Sequence, residues 1–276
     1  IGGYSFYEHL VNVYMLPLVQ VTLHTKHINH YLGTSNIRTR NIVVASSTYS
    51  DKFFFLNCTS GQLFVGTKNT PFDADMMPCV PSSLVVSGRG DQQQDGLLLW
   101  LEEHCRRLES GIINVREIHN TRAICQFPED PFCSTAVTHG VRVRASAVFV
   151  PELSDLEDDT EKYWFSYSIR LSLLQEGCTA YGMCLNSCQL SARHWIIRAH
   201  DRVVSDITGE AVIGQYPLLR SGEPDFVYES CSPLPTPSGS VEGSFTFVPG
   251  RLMDPKAGPF EAVVAQFPLQ VPDYIF

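Results

Sequence analysis

The feature that most constrains the fold is the alternation of apolar and polar side chains at 163–173. Apolar residues occupy every second position: Tyr163, Phe165, Tyr167, Ile169, Leu171 and Leu173. Polar residues lie between them: Ser166, Ser168, Arg170 and Ser172. Because successive side chains of a strand point to opposite faces, this pattern predicts an antiparallel strand with one buried face and one solvated face.

Further strand patterns continue to the end of the chain. Turns rich in glycine, proline and serine separate them at 220–224, 232–239 and 249–259. The predicted strands lie at 141–149, 190–199, 202–207, 225–230, 241–248 and 260–269. Seven short strands with such turns predict an all-β sandwich of immunoglobulin or fibronectin type III architecture over 141–276.

The first 111 residues mix helix and strand signals. The apolar and aromatic run at 4–21 predicts a helix that ends at Pro17, since proline interrupts a helix. Strands are predicted at 41–47, 52–58 and 62–66, with a glycine-containing turn between the last two.

A second helix is predicted at 95–110. Asp95 is its expected N-cap, and Gly111 is its expected stop signal. The apolar residues at helical spacing are Leu98, Leu101, Cys105 and Leu108. The sequence therefore predicts an α+β domain at 1–111, a connector without long elements at 112–140, and the sandwich domain at 141–276.

The charge balance excludes some classes of partner. The chain of 276 residues has 20 basic and 29 acidic residues, a net charge of −9. A general nucleic-acid binder needs a basic excess, and so does a polybasic membrane-surface protein. We therefore expect neither nucleic acid nor membrane as a partner. Six of the acids lie between Glu152 and Glu161, a run that predicts a solvated loop.

The cysteines and the amino terminus indicate the compartment. Nine cysteines, an odd number in a chain large enough to form its own core, are typical of reduced intracellular thiols. No signal peptide is visible at the amino terminus, and the abrupt start at Ile1 suggests a chain cut from something longer. We therefore expect an intracellular protein of the cytoplasm or nucleus.

Two side-chain patterns superficially resemble metal sites. His24, His27 and His30 recur every three residues, but this spacing drifts around a helix, so three imidazoles do not converge. Cys178, Cys184 and Cys188 lack the paired knuckles of zinc modules. We expect structural roles for both sets, and no metal or other cofactor.

The segment 209–214 approaches a phosphate-binding glycine loop. Ala211 replaces the middle glycine, and Pro217 follows where the motif requires a helix. A turn between strands is the interpretation that we favour over nucleotide binding. His194, beside Trp195, is a candidate base, but no recognisable nucleophile motif accompanies it.

These segments resemble a known family. From Val141 onwards the chain is similar to ApaG domains, with matching pieces in the family's order at 163–171, 190–197, 209–219, 222–230, 236–245 and 260–269. The resemblance implies a fibronectin type III-like β-sandwich. Ala211 departs from it, because the family usually has glycine there.

The first part of the chain resembles the back portion of a SUKH (Smi/Knr-like) domain. The likeness rests on the segments 2–7, 49–55 and 61–65. SUKH followed by ApaG resembles a group of eukaryotic F-box proteins, especially the plant Skp-interacting members. In that arrangement the F-box, and with it the binding of a Skp-type adaptor, lies outside these residues.

The resemblance implies no chemistry of the chain's own. It implies the non-catalytic, substrate-recognition portion of an SCF-type ubiquitin ligase, which binds the protein to be ubiquitinated. Two alternatives remain open: a free-standing ApaG-like protein that binds a small anion or metal, and an enzyme that uses His194.

The candidate protein-binding site is the loop that joins two sandwich strands at 209–217. Loops held by a rigid scaffold commonly carry recognition. The loop offers a carboxylate and an aromatic side chain with a polar tip, a residue type favoured at interfaces. The predicted contact residues are Gly209, Glu210, Gly214, Gln215 and Tyr216. The alternative is that Tyr216 folds back onto the core.

Overall fold

A computed structural model describes residues 1–7, 9–31, 41–49, 51–67, 76–85, 95–118 and 121–276. The amino-terminal half contains helices α1 (Leu18–Tyr31) and α2 (Gly96–Glu109). It also contains strands β1 (Gly2–Phe6), β2 (His9–Met15), β3 (Asn41–Ser47), β4 (Phe53–Asn57), β5 (Leu63–Gly66), β6 (Met77–Pro78), β7 (Asn114–Ile118) and β8 (Thr121–Cys125). These strands form one sheet in the order β6-β5-β4-β3-β2-β1-β8-β7.

The predicted helix at 4–17 is wrong, because β1 and β2 form an antiparallel hairpin there. Their buried residues alternate as strand residues do: Tyr4, Phe6, Val11 and Val13. A Cβ on Gly3 would lie 1.6 Å from the Val11 carbonyl oxygen, so only glycine permits this pairing. The helix begins after Pro17 instead of ending there.

The predicted strands β3, β4 and β5 are confirmed. Three consecutive phenylalanines of β4 are buried, because both faces of the sheet are covered. Phe53 and Phe55 cluster with Ile28 of α1 on one face. Phe54 packs against Trp100 of α2 on the other, with their ring centroids 4.7 Å apart.

Helix α2 is confirmed at its start, but its buried face differs from the prediction. The Asp95 side chain accepts a hydrogen bond of 2.9 Å from the Leu98 backbone N–H, as an N-cap does. The buried residues are Gly96, Trp100 and His104, whereas Leu98 is exposed. The i, i+4, i+8 row containing the tryptophan therefore faces the sheet.

The carboxy-terminal half is a β-sandwich, as predicted. The strands are β9 (Ser134–Thr138), β10 (Val141–Phe149), β11 (Tyr163–Leu173), β12 (Cys178–Ala180), β13 (Met183–Leu185), β14 (Ser187–Ala199), β15 (Arg202–Glu210), β16 (Leu218–Arg220), β17 (Phe226–Leu234), β18 (Ser238–Arg251), β19 (Asp254–Pro255) and β20 (Phe260–Gln270). One sheet has the order β17-β11-β10-β9, and the facing sheet contains β15, β14, β18 and β20, with β16 and β19 attached.

Aromatic side chains fill the space between the two sheets. Tyr167 of β11 contacts Trp195 of β14 and Phe267 of β20, each with ring centroids 6.1 Å apart. Trp195 also meets Phe245 edge-on and is buried in this core.

The segment 112–140, predicted as a connector without long elements, contributes strands to both halves. It contains β7 and β8, which join the amino-terminal sheet, and β9, which joins the sandwich. Its prolines lie between these strands, at Pro128 and Pro131. Each of the three strands has five residues, so the prolines limit length without preventing pairing.

The solvated face predicted for β11 is wrong, because the amino-terminal half covers it. Ser166, Ser168, Arg170 and Ser172 are all buried. The Ser166 hydroxyl donates a 2.6 Å hydrogen bond to the Ser5 carbonyl oxygen of β1. A separate apolar cluster lines the same contact between the halves: Tyr4, Phe6, Val11, Cys125, Phe127, Val150 and Cys231.

The acidic run 152–161 is solvated only in part, because the side chain of Glu152 is buried. Its carboxylate accepts a 2.7 Å hydrogen bond from the Tyr4 hydroxyl and lies 3.8 Å from the Lys52 ammonium. Burial and this neighbouring carboxylate raise the pKa of the Tyr4 phenol well above its usual range. The contacts of Glu152 with Tyr4 and Lys52 join the sandwich to the amino-terminal sheet.

Candidate protein-binding site

The loop at 209–217 connects β15 to β16, and strand β14 holds it at three points. The Ala211 N–H donates to the Ser191 carbonyl oxygen at 3.1 Å. The Gln189 amide donates to the Tyr216 carbonyl oxygen at 2.9 Å. The Leu190 N–H donates to the Pro217 carbonyl oxygen at 3.0 Å. The loop is therefore an ordered part of the sandwich.

The start of the loop is shaped by Arg193. Its guanidinium donates to the carbonyl oxygens of Glu210 and Ala211, at 2.9 and 2.6 Å. To reach them it passes beneath Gly209, where a Cβ would lie 3.3 Å from the guanidinium. Gly209 is half-buried. Because it has no side chain, it leaves room for the Arg193 guanidinium.

Two inward-facing residues anchor the middle of the loop. Ala211 and Val212 are almost fully buried. Ala211 has φ of +59°, a left-handed conformation that glycine adopts most readily. This explains why a glycine suits this position in the family that the sequence resembles. The chain leads into strand β16 and not into a helix, so the segment is not built as a phosphate-binding loop.

The tip of the loop is a two-residue turn of type I′. Val212 and Gln215 exchange backbone hydrogen bonds of 3.0 and 2.8 Å. Between them, Ile213 and Gly214 have φ of +43° and +75°. Asparagine followed by glycine is the preferred pair for this turn, whereas a β-branched residue at positive φ is strained. Ile213 is nevertheless there, with 42% of its surface exposed.

Glu210 and Tyr216 flank this tip, and both are exposed. The Tyr216 hydroxyl donates a 3.1 Å hydrogen bond to the Glu210 carboxylate. That hydrogen bond raises the pKa of the Tyr216 phenol. Tyr216 is 40% exposed, so it does not fold into the core. Its ring and the Ile213 side chain form the apolar part of a surface whose polar part is Glu210 and Gln215.

Sequence reasoning missed Ile213 as a member of this site. In the sequence, Ile213 is marked only by the glycine that follows it in a loop. An isoleucine–glycine pair does not predict a type I′ turn. The strain at Ile213 is of the kind that persists at functional sites.

We expect Ile213→Asn to raise the free energy of unfolding by about 1 kcal/mol, because asparagine adopts positive φ at lower cost. Urea denaturation of the variant and the wild type measures this difference. Ile213→Ala is the control. Alanine also removes the branched isoleucine side chain, but it does not adopt positive φ as readily as asparagine does. A lower stability for Ile213→Asn than for Ile213→Ala would contradict the assignment of the turn.

The other sequence-predicted candidates do not join this loop. His194 Nε2 lies 2.7 Å from Asp206 Oδ1, on the outer face of β14 and β15. The pair links these two strands. Cys178 and Cys188 are buried, and burial raises the pKa of both thiols, which keeps them protonated.

Within the ranges that the structure describes, no group of three or more His, Cys, Asp and Glu side chains is placed to hold a metal ion. His24 lies with its ring centroid 6.0 Å from that of Phe53. The side chain of His30 lies outside the described part of the chain. No helix in the described ranges is long and apolar enough to cross a membrane.

Comparison with known proteins identifies the sandwich. The family profile of the ApaG domain (DUF525) matches residues 154–249. Protein ApaG of Anaeromyxobacter dehalogenans is 36% identical over 139 residues, which cover 50% of this chain and 96% of that protein. The chain belongs to the ApaG family. The loop 209–217 therefore lies within the ApaG domain.

Two further relatives are longer proteins that this chain matches only in part. F-box protein SKIP16 of Arabidopsis thaliana is 55% identical over 281 residues, which cover 100% of this chain. F-box only protein 3 of Homo sapiens is 32% identical over 124 residues, which cover 45% of this chain. The chain spans 64% of the length of the first and the match spans 24% of the second.

Proposed function

We propose that this chain is the substrate-recognition portion of an F-box protein in an SCF-type ubiquitin ligase. The observation that carries the proposal is the 55% identity to F-box protein SKIP16 over the whole chain. In this proposal the chain performs no chemistry. It binds the protein to be ubiquitinated, and an F-box outside the 276 residues binds the Skp-type adaptor.

The proposed domain boundaries are those predicted from the sequence. Residues 1–111 are assigned to a partial SUKH-like domain, 112–140 to the connection and 141–276 to the ApaG domain. The buried contact between the halves supports treating them as one recognition unit, since Ser166 and Glu152 bond to residues of the amino-terminal sheet. We place it in the cytoplasm or nucleus, where SCF ligases act.

We assign target binding to the loop surface of Gly209, Glu210, Gly214, Gln215 and Tyr216, now extended by Ile213. Several properties support this assignment. The backbone is held by β14, so little conformational entropy is lost on binding. Tyrosine and isoleucine offer apolar area at the surface, and Glu210 offers a charge. The remaining acids of 152–161 would steer a basic target towards the domain, an attraction that salt weakens.

The test is quantitative affinity capture with the immobilised chain from cells of the source tissue. A captured protein counts as a target only if it binds the purified chain directly and is ubiquitinated in those cells. Recovery of such a protein is the expected result. Direct binders that never carry ubiquitin would overturn the ligase assignment.

We expect the double variant Glu210→Ala/Tyr216→Ala to bind that target at least tenfold more weakly. Its melting temperature should stay nearly unchanged, because the lost hydrogen bond is exposed. Calorimetric titration and thermal unfolding measure the two effects. The matched control is Tyr181→Ala/Glu261→Ala, which removes an exposed tyrosine and an exposed glutamate elsewhere on the sandwich. Equal binding by both double variants would place recognition outside the loop.

A further inference from the structure

Strand β15, which leads into the loop, is an edge strand with an unusual surface. It pairs with β14 on one side and has no partner on the other side within the described residues. Three apolar residues of this strand are about half exposed: Val203 (49%), Val204 (47%) and Ile207 (49%). An open strand edge with apolar side chains is a template for another strand.

The ladder with β14 defines which backbone groups face the open edge. The Ala211 N–H bonds to β14, and Ile207 pairs with Trp195 in the same register. Antiparallel hydrogen bonds alternate along a strand, so the alternate residues Asp206, Thr208 and Glu210 direct their N–H and C=O groups away from β14. The Glu210 carbonyl oxygen already accepts a hydrogen bond from the Arg193 guanidinium. Among the residues that the structure describes, five groups remain without a partner: both of Asp206, both of Thr208 and the Glu210 N–H.

The side chains beside this edge specify the chemistry of an incoming strand. Asp206 and Glu210 share the outer face of β15 with Thr208, and Asp206 is 63% exposed. Ile207 lies on the opposite face, next to Trp195 of β14. A guest strand would therefore place every second side chain beside carboxylates and the intervening ones beside Ile207. Charge complementarity favours a guest that alternates basic and apolar residues.

We propose that the open edge of β15 captures an extended peptide segment of a partner protein by antiparallel strand addition, and that this segment alternates basic and apolar residues. Strand addition takes affinity from backbone hydrogen bonds and specificity from alternate side chains. The proposal rests on the proposed function, since it names the class of segment that the recognition unit binds.

The site is tested with a fluorescent ten-residue peptide of alternating lysine and valine, titrated against the whole chain and followed by anisotropy. Thr208→Pro removes an N–H from the open edge and none from the ladder with β14, so the fold should persist. We expect it to weaken peptide binding at least tenfold. Thr208→Val keeps the N–H and is the matched control, which should bind as the wild type does. Equal binding by the two variants overturns the proposal.

A second measurement leaves the protein unchanged and so does not depend on the folding of a variant. The same peptide is N-methylated either at its lysines or at its valines. In antiparallel addition the lysine N–H groups face β15, so methylation there should weaken binding at least tenfold, whereas methylation at the valines should not. If the two methylated peptides bind with equal affinity, whether weak or strong, strand addition in this register is contradicted. A glutamate–valine peptide that binds as tightly would contradict the charge argument.

These outcomes separate the two proposals. If the peptides behave as expected and no ubiquitinated target is found, the strand site stands and the proposed function fails. If a target binds through the loop while Thr208→Pro changes neither its affinity nor that of the peptide, the proposed function stands and the strand site fails.

Discussion

Replacing Lys52 with methionine is expected to lower the free energy of unfolding by about 3–5 kcal/mol, because it leaves a buried carboxylate without its counter-charge. The Lys52 side chain is fully buried. Its ammonium donates to the Tyr4 hydroxyl at 3.0 Å and to the Phe276 carbonyl oxygen at 2.6 Å, and lies 3.8 Å from Glu152. Burial lowers the pKa of Lys52, and the Glu152 charge opposes that shift. Guanidinium denaturation followed by tryptophan fluorescence measures the change.

The double variant Lys52→Met/Glu152→Gln serves as the control for this prediction. It removes the uncompensated charge, so it should be more stable than Lys52→Met alone. If Lys52→Met alone lowers the free energy of unfolding by less than about 1 kcal/mol, the buried contact between Lys52 and Glu152 does not hold the two halves together.

The second large effect is expected at Ile169 in the centre of β11. Its side chain is fully buried, and its cross-strand neighbours are Ala145 and Tyr228. Ile169→Ala should cost about 2–5 kcal/mol, from lost transfer free energy plus the cavity that remains. Urea denaturation measures this value.

Ser166→Ala probes the opposite face of the same strand. The structure predicts a cost of about 1–3 kcal/mol, because the Ser5 carbonyl oxygen loses its buried partner. A cost under about 0.5 kcal/mol would mean that this face is solvated, as the sequence alone indicated.

Local sequence patterns are sufficient to locate an element when the signal acts within a few residues. The alternation at 163–173 located β11, and Asp95 located the start of α2, because both signals act within a few residues. The same alternation could not reveal what covers the polar face of β11. Ser166 bonds to Ser5, and Glu152 to Tyr4, across more than 140 residues of chain.

The hairpin of β1 and β2 was missed for a related reason. Its residues are apolar enough for either a helix or a strand, and tertiary context selects the strand. The deciding contact is the close approach of Gly3 to the Val11 backbone, together with burial against the sandwich.

The candidate site was located by sequence only in outline. The glycines, the carboxylate and the tyrosine indicated a surface loop, and the structure places Glu210 and Tyr216 within hydrogen-bonding distance. The conformation of Ile213 and the open edge of β15 depend on the turn type and on sheet order. Neither can be derived from composition or periodicity.

The most direct test of the central claim is the half-life of a captured target in cells that express this chain in excess. The chain should occupy the target without delivering it to the ligase, so the account predicts a longer half-life by pulse-chase. Expression of Glu210→Ala/Tyr216→Ala at the same level should leave the half-life unchanged. A half-life that the wild-type chain does not alter, despite direct binding, would contradict substrate recognition for ubiquitination.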